Sequence, residues 1–333
     1  MTAATQAVPA AASAFHAGER AAQERVLGAA LAQGRMAAVG RAMIRSAMPE
    51  QHRDFFAQRP FVVVGSADAD GQPWASVLAA PPGFMQSPDP QALVVQALPD
   101  PADPLHRHLQ PGARLGLLGI EPHTRRRNRM NGVVEQRGAT GFSVRVQQSF
   151  GNCPQYIQAR QADYVAAAAP GAWRHSTQLD DAARALIGQA DTFFIATASA
   201  ADAGLPLPAG EDEASRGVDV SHRGGKPGFV RVDADGTLTV PDFTGNHFFN
   251  TIGNIVAHPR AGLLFIDFAS GDAVYVAATV QIVWDGPEVE AFAGAQRLLR
   301  FQPHQVIHAS AAVPLRWGAS QQAPQLAGTG SWH

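Results

Sequence analysis

Along residues 246–257 the apolar positions Phe248, Ile252, Ile255 and Val256 return at helical spacing, while Asn246, Asn250 and Asn254 fall four apart on another stripe. The pattern predicts an amphipathic helix with one amide-rich face. Asp242, Thr244 and Gly245 supply turn and capping residues ahead of it, and Pro259 stops it. The free N–H groups of its first turn would then open beside a loop, where the helix dipole favours an anion. Short apolar runs such as FVRV, LTV and AGLLF flank this segment and read as strands. Residues 221–267 therefore read as strand, Gly-rich turn, strand, helix and strand.

The same grammar occurs twice. FVVVGSADADG at 61–71 resembles FFIATASAADA at 193–203. Ser76, Pro82, Gly83 and Phe84 match Ser221, Pro227, Gly228 and Phe229 at an offset of 145 residues, which Leu93 and Val95 keep to Leu238 and Val240. Arg114, Gly116, Leu117, Leu118 and Ile120 match Arg260, Gly262, Leu263, Leu264 and Ile266 at an offset of 146. The first pair lies only 132 apart, so the second copy carries about 13 extra residues, and 204–216 (GLPLPAGEDEASR) reads as that inserted polar loop. Each copy contains a helix, strands joined by Asp-Gly turns (Asp70-Gly71 and Asp235-Gly236), a crossing segment and an apolar strand pair, a tally that suits a small antiparallel barrel. A helix is expected over about 14–48, where Glu19, Arg20, Gln23, Glu24 and Arg25 form close-spaced polar pairs.

A chain of 333 residues with 46% hydrophobic content can bury the cores of two domains. Lys and Arg total 26 against 28 acids, a net charge of −2, so no overall electrostatic pull toward nucleic acid is expected. No apolar run reaches the roughly 18 residues of a membrane helix, and the Ala-rich start lacks the pattern of a signal peptide. A cytoplasmic protein is expected, with neither membrane nor nucleic acid as partner. Cys153 is the single cysteine, which excludes an internal disulfide and a multi-cysteine metal cluster; it reads as a buried structural thiol. His304 and His308 have helical metal spacing without the glutamate of a zinc-protease motif, so no metal site is expected. Arg125, Arg127 and Arg129 alternate and would share one strand face, where three like charges call for an anion opposite. Trp74, Phe84, Phe229, Phe243 and Trp284 are candidate neighbours of an aromatic ligand. His16 and Glu19, in FHAGER, carry no assigned role.

In the second copy DVSHRGGKPGFVRV, LTVPDFTGNHFFNTIGNI and HPRAGLLF, and in the first MPEQHRDFF, GQPWASVLAAPPGF, HTRRRNRMNG and QSFGNCPQYIQ, resemble the pyridoxamine 5'-phosphate oxidase-like FMN-binding split-barrel superfamily. The likeness spans about 15–317 and implies a mainly β fold with helices (α+β): two tandem split barrels after an N-terminal helical segment. The expected boundaries are disorder over 1–13, helix and first barrel in 14–165, the second barrel with the phosphate site in 175–318, and a flexible tail over 319–333. The resemblance implies FMN, rather than FAD, between the barrels. Carried over, Asn246, His247, Asn250 and Thr251 lie by its phosphate, with Ser221, Arg223 and Lys226 as hydroxyl and basic candidates. Arg127 holds the place from which a family glutamine approaches the flavin. PDPADPLHRHLQPG replaces the Asn-rich helix in the first copy, so one phosphate site and unequal roles are expected. The basic pair and the C-terminal Arg-His segment of the oxidases proper are not reproduced, so their vitamin reaction is not implied. The expected function is an FMN-dependent oxidoreductase acting on a small organic substrate, with NAD(P)H or a separate reductase as electron donor and no catalytic residue assigned. The alternative is a flavin- or haem-binding protein without turnover. Two chains could further associate as a homodimer.

Overall fold

The structure, a computed structural model, describes residues 13–166, 171–199 and 215–332. The duplication appears as two antiparallel sheets of matching strand order. The first contains β1 (Phe61–Ala67), β2 (Pro73–Ala79), β3 (Met85–Gln86), β4 (Ala92–Val95), β5 (Arg114–Glu121), β6 (Arg126–Arg137) and β7 (Phe142–Gly151), in the order β2-β1-β5-β6-β7-β4-β3. After β8 (Ala162–Tyr164) and β9 (Trp173–Ser176) come β10 (Thr192–Ala198), β11 (Val218–Gly224), β12 (Arg231–Val232), β13 (Leu238–Phe243), β14 (Arg260–Ile266), β15 (Ala273–Val283) and β16 (Ala295–Ala309). They lie in the order β11-β10-β14-β15-β16-β13-β12, with β9 added beside β16, and β17 (Leu315–Trp317) pairs with β8. Both Asp-Gly turns close as expected, with Gly71 at φ 73° and Gly236 at φ 89°, a region that glycine enters without strain.

The continuous apolar runs of β1 and β10 follow from having protein on both faces. Val62 and Val64 point into the first barrel's core, and Phe193 and Ile195 into the second's. Phe61 and Val63, with Phe194 and Ala196, form a shared core between the barrels together with Trp74, Leu118, Val220, Leu264 and Tyr275. Fully buried strands of this kind lose the polar alternation of a half-exposed sheet. Backbone approach at this seam requires glycine: a Cβ on Gly116 would lie 2.3 Å from the Val218 carbonyl oxygen, and one on its register mate Gly262 2.2 Å from that of Pro73.

The helices are α1 (Ala17–Leu27), α2 (Ala29–Leu31), α3 (Ala37–Met43), α4 (Glu50–Ala57), α5 (Pro104–His108), α6 (Asp181–Gln189), α7 (Asn250–Ala257) and α8 (Pro287–Ala291). The helix expected over 14–48 is thus broken at Gly28 (φ 82°), carries a π-helical turn at Ala32–Met36, and ends where Ile44 turns extended. The helix expected from residue 246 starts four residues later. His247 and Phe249 both sit at φ 60°, outside helical geometry, while Phe248 between them is buried against Phe15 and Phe150.

The tail expected to be flexible over 319–333 is packed across its described part, to residue 332. Ala323 and Leu326 are buried with Phe243 and Phe292, the Trp332 ring meets that of Phe292 at a tilt of 60°, and the Gln158 side chain accepts from the Ala323 N–H (2.9 Å). Its apolar residues are too widely spaced to read as an element, yet they pack against Phe243 and Phe292 of the second half. The expected disorder over 1–13 lies outside the described residues except for Ser13, as does the inserted loop 204–216 except for Ser215 and Arg216. Among the described residues no helix is long and apolar enough to cross a membrane.

Candidate functional site

A cleft of about 1020 Å³, counting its open mouth, lies where β6 and the 152–156 turn of the first half meet β11, the 241–247 segment and the start of α7 from the second. Ser221, Arg223, Asn246, His247, Asn250, Thr251 and Arg127 all line it. Lys226 is the exception: its ammonium donates to the Thr329 carbonyl (2.5 Å), drawn away by the packed tail. Phe229 and Phe243 line the cleft, whereas Trp74 and Phe84 are core residues and Trp284 lies under Arg25 and Arg297 on the second barrel. The arginine trio does not share one face. Arg125 turns at φ 57° and donates to the Ile157 carbonyl, leaving Arg127 and Arg129 in the cleft. Cys153 is half-buried in the cleft wall instead of in a core.

Positive charge exceeds negative here. Arg129 pairs with Asp219 (2.9 Å), while Arg223 (3.3 Å) and Arg297 (2.7 Å) share Asp242. Arg127 pairs with no carboxylate among the described residues; its Nε donates to the Cys153 carbonyl (2.6 Å) and Nη1 to that of His222 (3.4 Å). Four guanidinium groups thus face two carboxylates. Burial, with help from Arg223 and Arg129, pushes the Arg127 guanidinium down to about 9. A buried cation without a counter-ion is costly, and an incoming anion would relieve that cost. Burial and then Arg127 and Arg223 hold His222 well below the usual histidine range, so its ring is neutral and adds no charge.

Several buried polar atoms of the wall lack any partner: the Nε atoms of Arg129, Arg223 and Arg297, Nδ1 of His222, Oδ1 of Asn152 and Oε1 of Gln155. Such orphans are rare in native proteins and collect where a ligand or water belongs. The mouth of α7 adds to them, since Phe249 stands at its N-cap position and gives no side-chain cap. Nothing lies within 4 Å of a Cβ built on Gly245 at the same rim. Uncapped N–H groups, Arg129 Nη2 donating to Ser221 Oγ (2.5 Å), and Thr251 Oγ1 donating to the same oxygen (3.1 Å) form a donor set suited to phosphate.

The amide stripe divides by role. Asn250 faces the cleft and Asn246 Oδ1 accepts from the Phe248 N–H (3.2 Å), but Asn254 is fully buried and donates to Thr197 (3.1 Å) and Asp219 (2.9 Å). Asp219 also accepts from Asn131 (2.9 Å), so one carboxylate ties β6, β11 and α7 together. Asp219 and Arg297 are neighbours of the cleft that sequence patterning did not assign, and Asp242, read there only as a turn and capping residue, joins them by pairing with Arg223 and Arg297. For Asp219 a faint signal existed, its placement two residues before Ser221 on the same strand face. Among the described residues no group of three or more His, Cys, Asp or Glu could hold a metal ion.

The corresponding place in the other half is filled. Leu118 pairs with Arg129 and Leu264 with Tyr275, so Tyr275 is the register mate of Arg129, as Ser76 is of Ser221. There Asp103 caps α5, accepting from the Leu105 N–H (2.8 Å), from Ser76 Oγ (2.6 Å) and from Tyr275 OH (2.8 Å). A side-chain carboxylate occupies the helix mouth that is open in the second half.

A family model for pyridoxamine 5'-phosphate oxidase matches residues 48–174 and again 179–313. Among solved structures, the chain is similar to HupZ from Group A Streptococcus (15% identity, 43% of this chain, 99% of that one, TM-score 0.27). It is similar also to a putative pyridoxamine 5'-phosphate oxidase from Lactobacillus delbrueckii (17%, 32% and 95%, TM-score 0.26). A third is HutZ, the haem storage protein of Vibrio cholerae (14%, 40% and 95%, TM-score 0.27). Comparison with curated protein sequences gives no match.

Proposed function

The chain belongs to the pyridoxamine 5'-phosphate oxidase family, and from that membership we propose that it is an FMN-dependent oxidoreductase with one flavin per chain in the seam cleft. The observation that carries this reading is the asymmetry of the two helix mouths: α5 is capped by its own carboxylate, whereas α7 is uncapped beside a surplus of guanidinium groups. The orphaned donors there fit a phosphate, and the apolar Phe243, Phe249 and Ile252 fit a flat ring beyond it. Bound there, FMN would supply the redox chemistry.

The chain's own residues then bind and orient. Arg129, Ser221, Thr251 and the first N–H groups of α7 hold the phosphate, and Asn250 donates beside them. Arg127 and Arg223 lie two residues along their strands from Arg129 and Ser221, about 7 Å farther up the cleft. There Arg127, held by two backbone carbonyls, donates to the polar edge of the ring, and Arg223 adds positive charge. Electrons come from NAD(P)H or from a separate reductase, and the acceptor is a small organic molecule entering the open mouth. A cytoplasmic setting suits that supply.

Absorbance of the purified protein tests the reading. The flavin bands should appear, or should form on adding FMN, and anaerobic NAD(P)H with or without a flavin reductase should bleach them. Yellow protein that no reductant bleaches would make it a carrier without turnover. Protein that takes up no FMN would sink the proposal. Replacing Arg127 with Gln should weaken FMN binding by about 1.5–3 kcal/mol, the usual worth of a charged hydrogen bond.

A further inference from the structure

None of the roles above uses Glu19. Its Oε2 accepts from the His16 N–H (2.9 Å) in the capping box of α1, and its Oε1 accepts from Asn250 Nδ2 (2.5 Å). The contact is enforced by backbone. A Cβ on Gly253 would lie 2.5 Å from the Glu19 backbone, and one on Gly18 2.2 Å from the Gly253 carbonyl oxygen, so α1 and α7 touch through two glycines. Gln23 adds a bond to the Phe248 carbonyl (3.3 Å). A carboxylate only 3% exposed thus stands behind the mouth of α7, and Asn250 connects it to the cleft. The titratable and charged groups facing it are His16 at the N-cap of its own helix (3.7 Å), Asp219 from β11 and Arg129 from β6.

We infer that Glu19 is a proton-linked gate on the cleft: the ligand's anionic group and the Glu19 carboxylate compete for the Asn250 amide and the positive end of α7, so the anion binds together with a proton on Glu19. The inference rests on the reading of the cleft as an anion site and specifies its regulation. Burial, reinforced by Asp219 and opposed by His16, pushes the Glu19 carboxyl up to about 7. Near neutral pH it is therefore half charged. A second negative charge at the helix mouth drives it to the neutral acid. Below pH 7 the proton is already in place and costs nothing to bind; above pH 7 each unit of pH weakens the anion by up to about tenfold.

Sulfate, which does not titrate in this range, is the probe. Calorimetric titration of the full chain at pH 6, 7 and 8, each in two buffers of different ionisation enthalpy, counts protons taken up per sulfate. The expected count is roughly 0.1 at pH 6, rising toward about 1 at pH 8, with affinity falling about fivefold between pH 7 and pH 8. Glu19→Gln keeps the shape and the Asn250 contact, so it should lose this uptake and flatten the pH profile. Equal uptake in both proteins, or wild-type binding independent of pH, would overturn the inference and leave the anion site standing. Failure of both sulfate and FMN to bind at any pH would overturn the site and the gate together. Should Glu19→Gln fold poorly, the wild-type proton count decides alone, and a count near zero at pH 8 refutes the gate.

Discussion

The two halves bring the same strands to the seam and treat the same place in opposite ways. At the first, Ser76, Asp103 and Tyr275 close a hydrogen-bonded set around an internal carboxylate; at the second, Ser221, Phe249 and Arg129 leave a helix mouth uncapped under a cation. Strand register is shared, since β5 and β14 pair with β6 and β15 in equivalent positions. Around the shared serine, the difference lies in Asp103 against Phe249 and Tyr275 against Arg129. A duplicated barrel pair can build two equivalent clefts, and charge at one helix end decides which of them is open to an external anion.

The largest effect should come from breaking the open seam. Arg129→Met leaves Asp219 buried without its cation, and unfolding in urea should show a loss of about 3–5 kcal/mol together with loss of copurified flavin. Stability near wild type would mean that Asn131 and Asn254 alone satisfy Asp219. The closed seam should respond to pH instead. Burial pushes the Asp103 carboxyl up to about 6, above its value of 3.8 in the unfolded chain, even though Ser76, the Leu105 N–H and Tyr275 all pull it down. Its favourable contribution is therefore fully present below pH 3.8 and lost as pH rises through 6. Against Asp103→Asn, the wild type should lose up to about 3 kcal/mol between pH 4 and pH 7, read from urea midpoints at both values.

Making the open seam resemble the closed one is a finer test. Phe249 occupies the N-cap position that Asp103 holds in the other half, at a φ of 60° that Asp tolerates better than Phe. Phe249→Asp should install the missing carboxylate and weaken FMN at least about tenfold, roughly 1.4 kcal/mol, by quenching of flavin fluorescence. Unchanged affinity would place the ligand's anion away from α7. The smallest change is expected for Tyr275→Phe, which removes one of three donors to Asp103 and should cost about 1 kcal/mol in thermal or urea unfolding without altering flavin content.

Much of this was legible in local pattern. The offsets near 145 anticipated two sheets of one topology, the Asp-Gly pairs marked their turns, and the short apolar runs marked strands. The residues chosen around 221–251, with Arg127, share one cleft apart from Lys226. What escaped were partners far off in the chain. Glu19 meets Asn250 across 231 residues, Arg129 meets Asp219 across 90, and the 319–332 tail packs on Phe243 and Phe292 with residues that have no period of their own.

Strand and turn identity and the repeat are properties of neighbouring residues, so periodicity and backbone preference were enough to specify them. Which mouth is shut, which asparagine is structural, and that a carboxylate from α1 stands behind the open one depend on how the barrels and the N-terminal helix dock. Those contacts join residues from distant stretches, and burial in that docked arrangement sets the charges that distinguish the two seams.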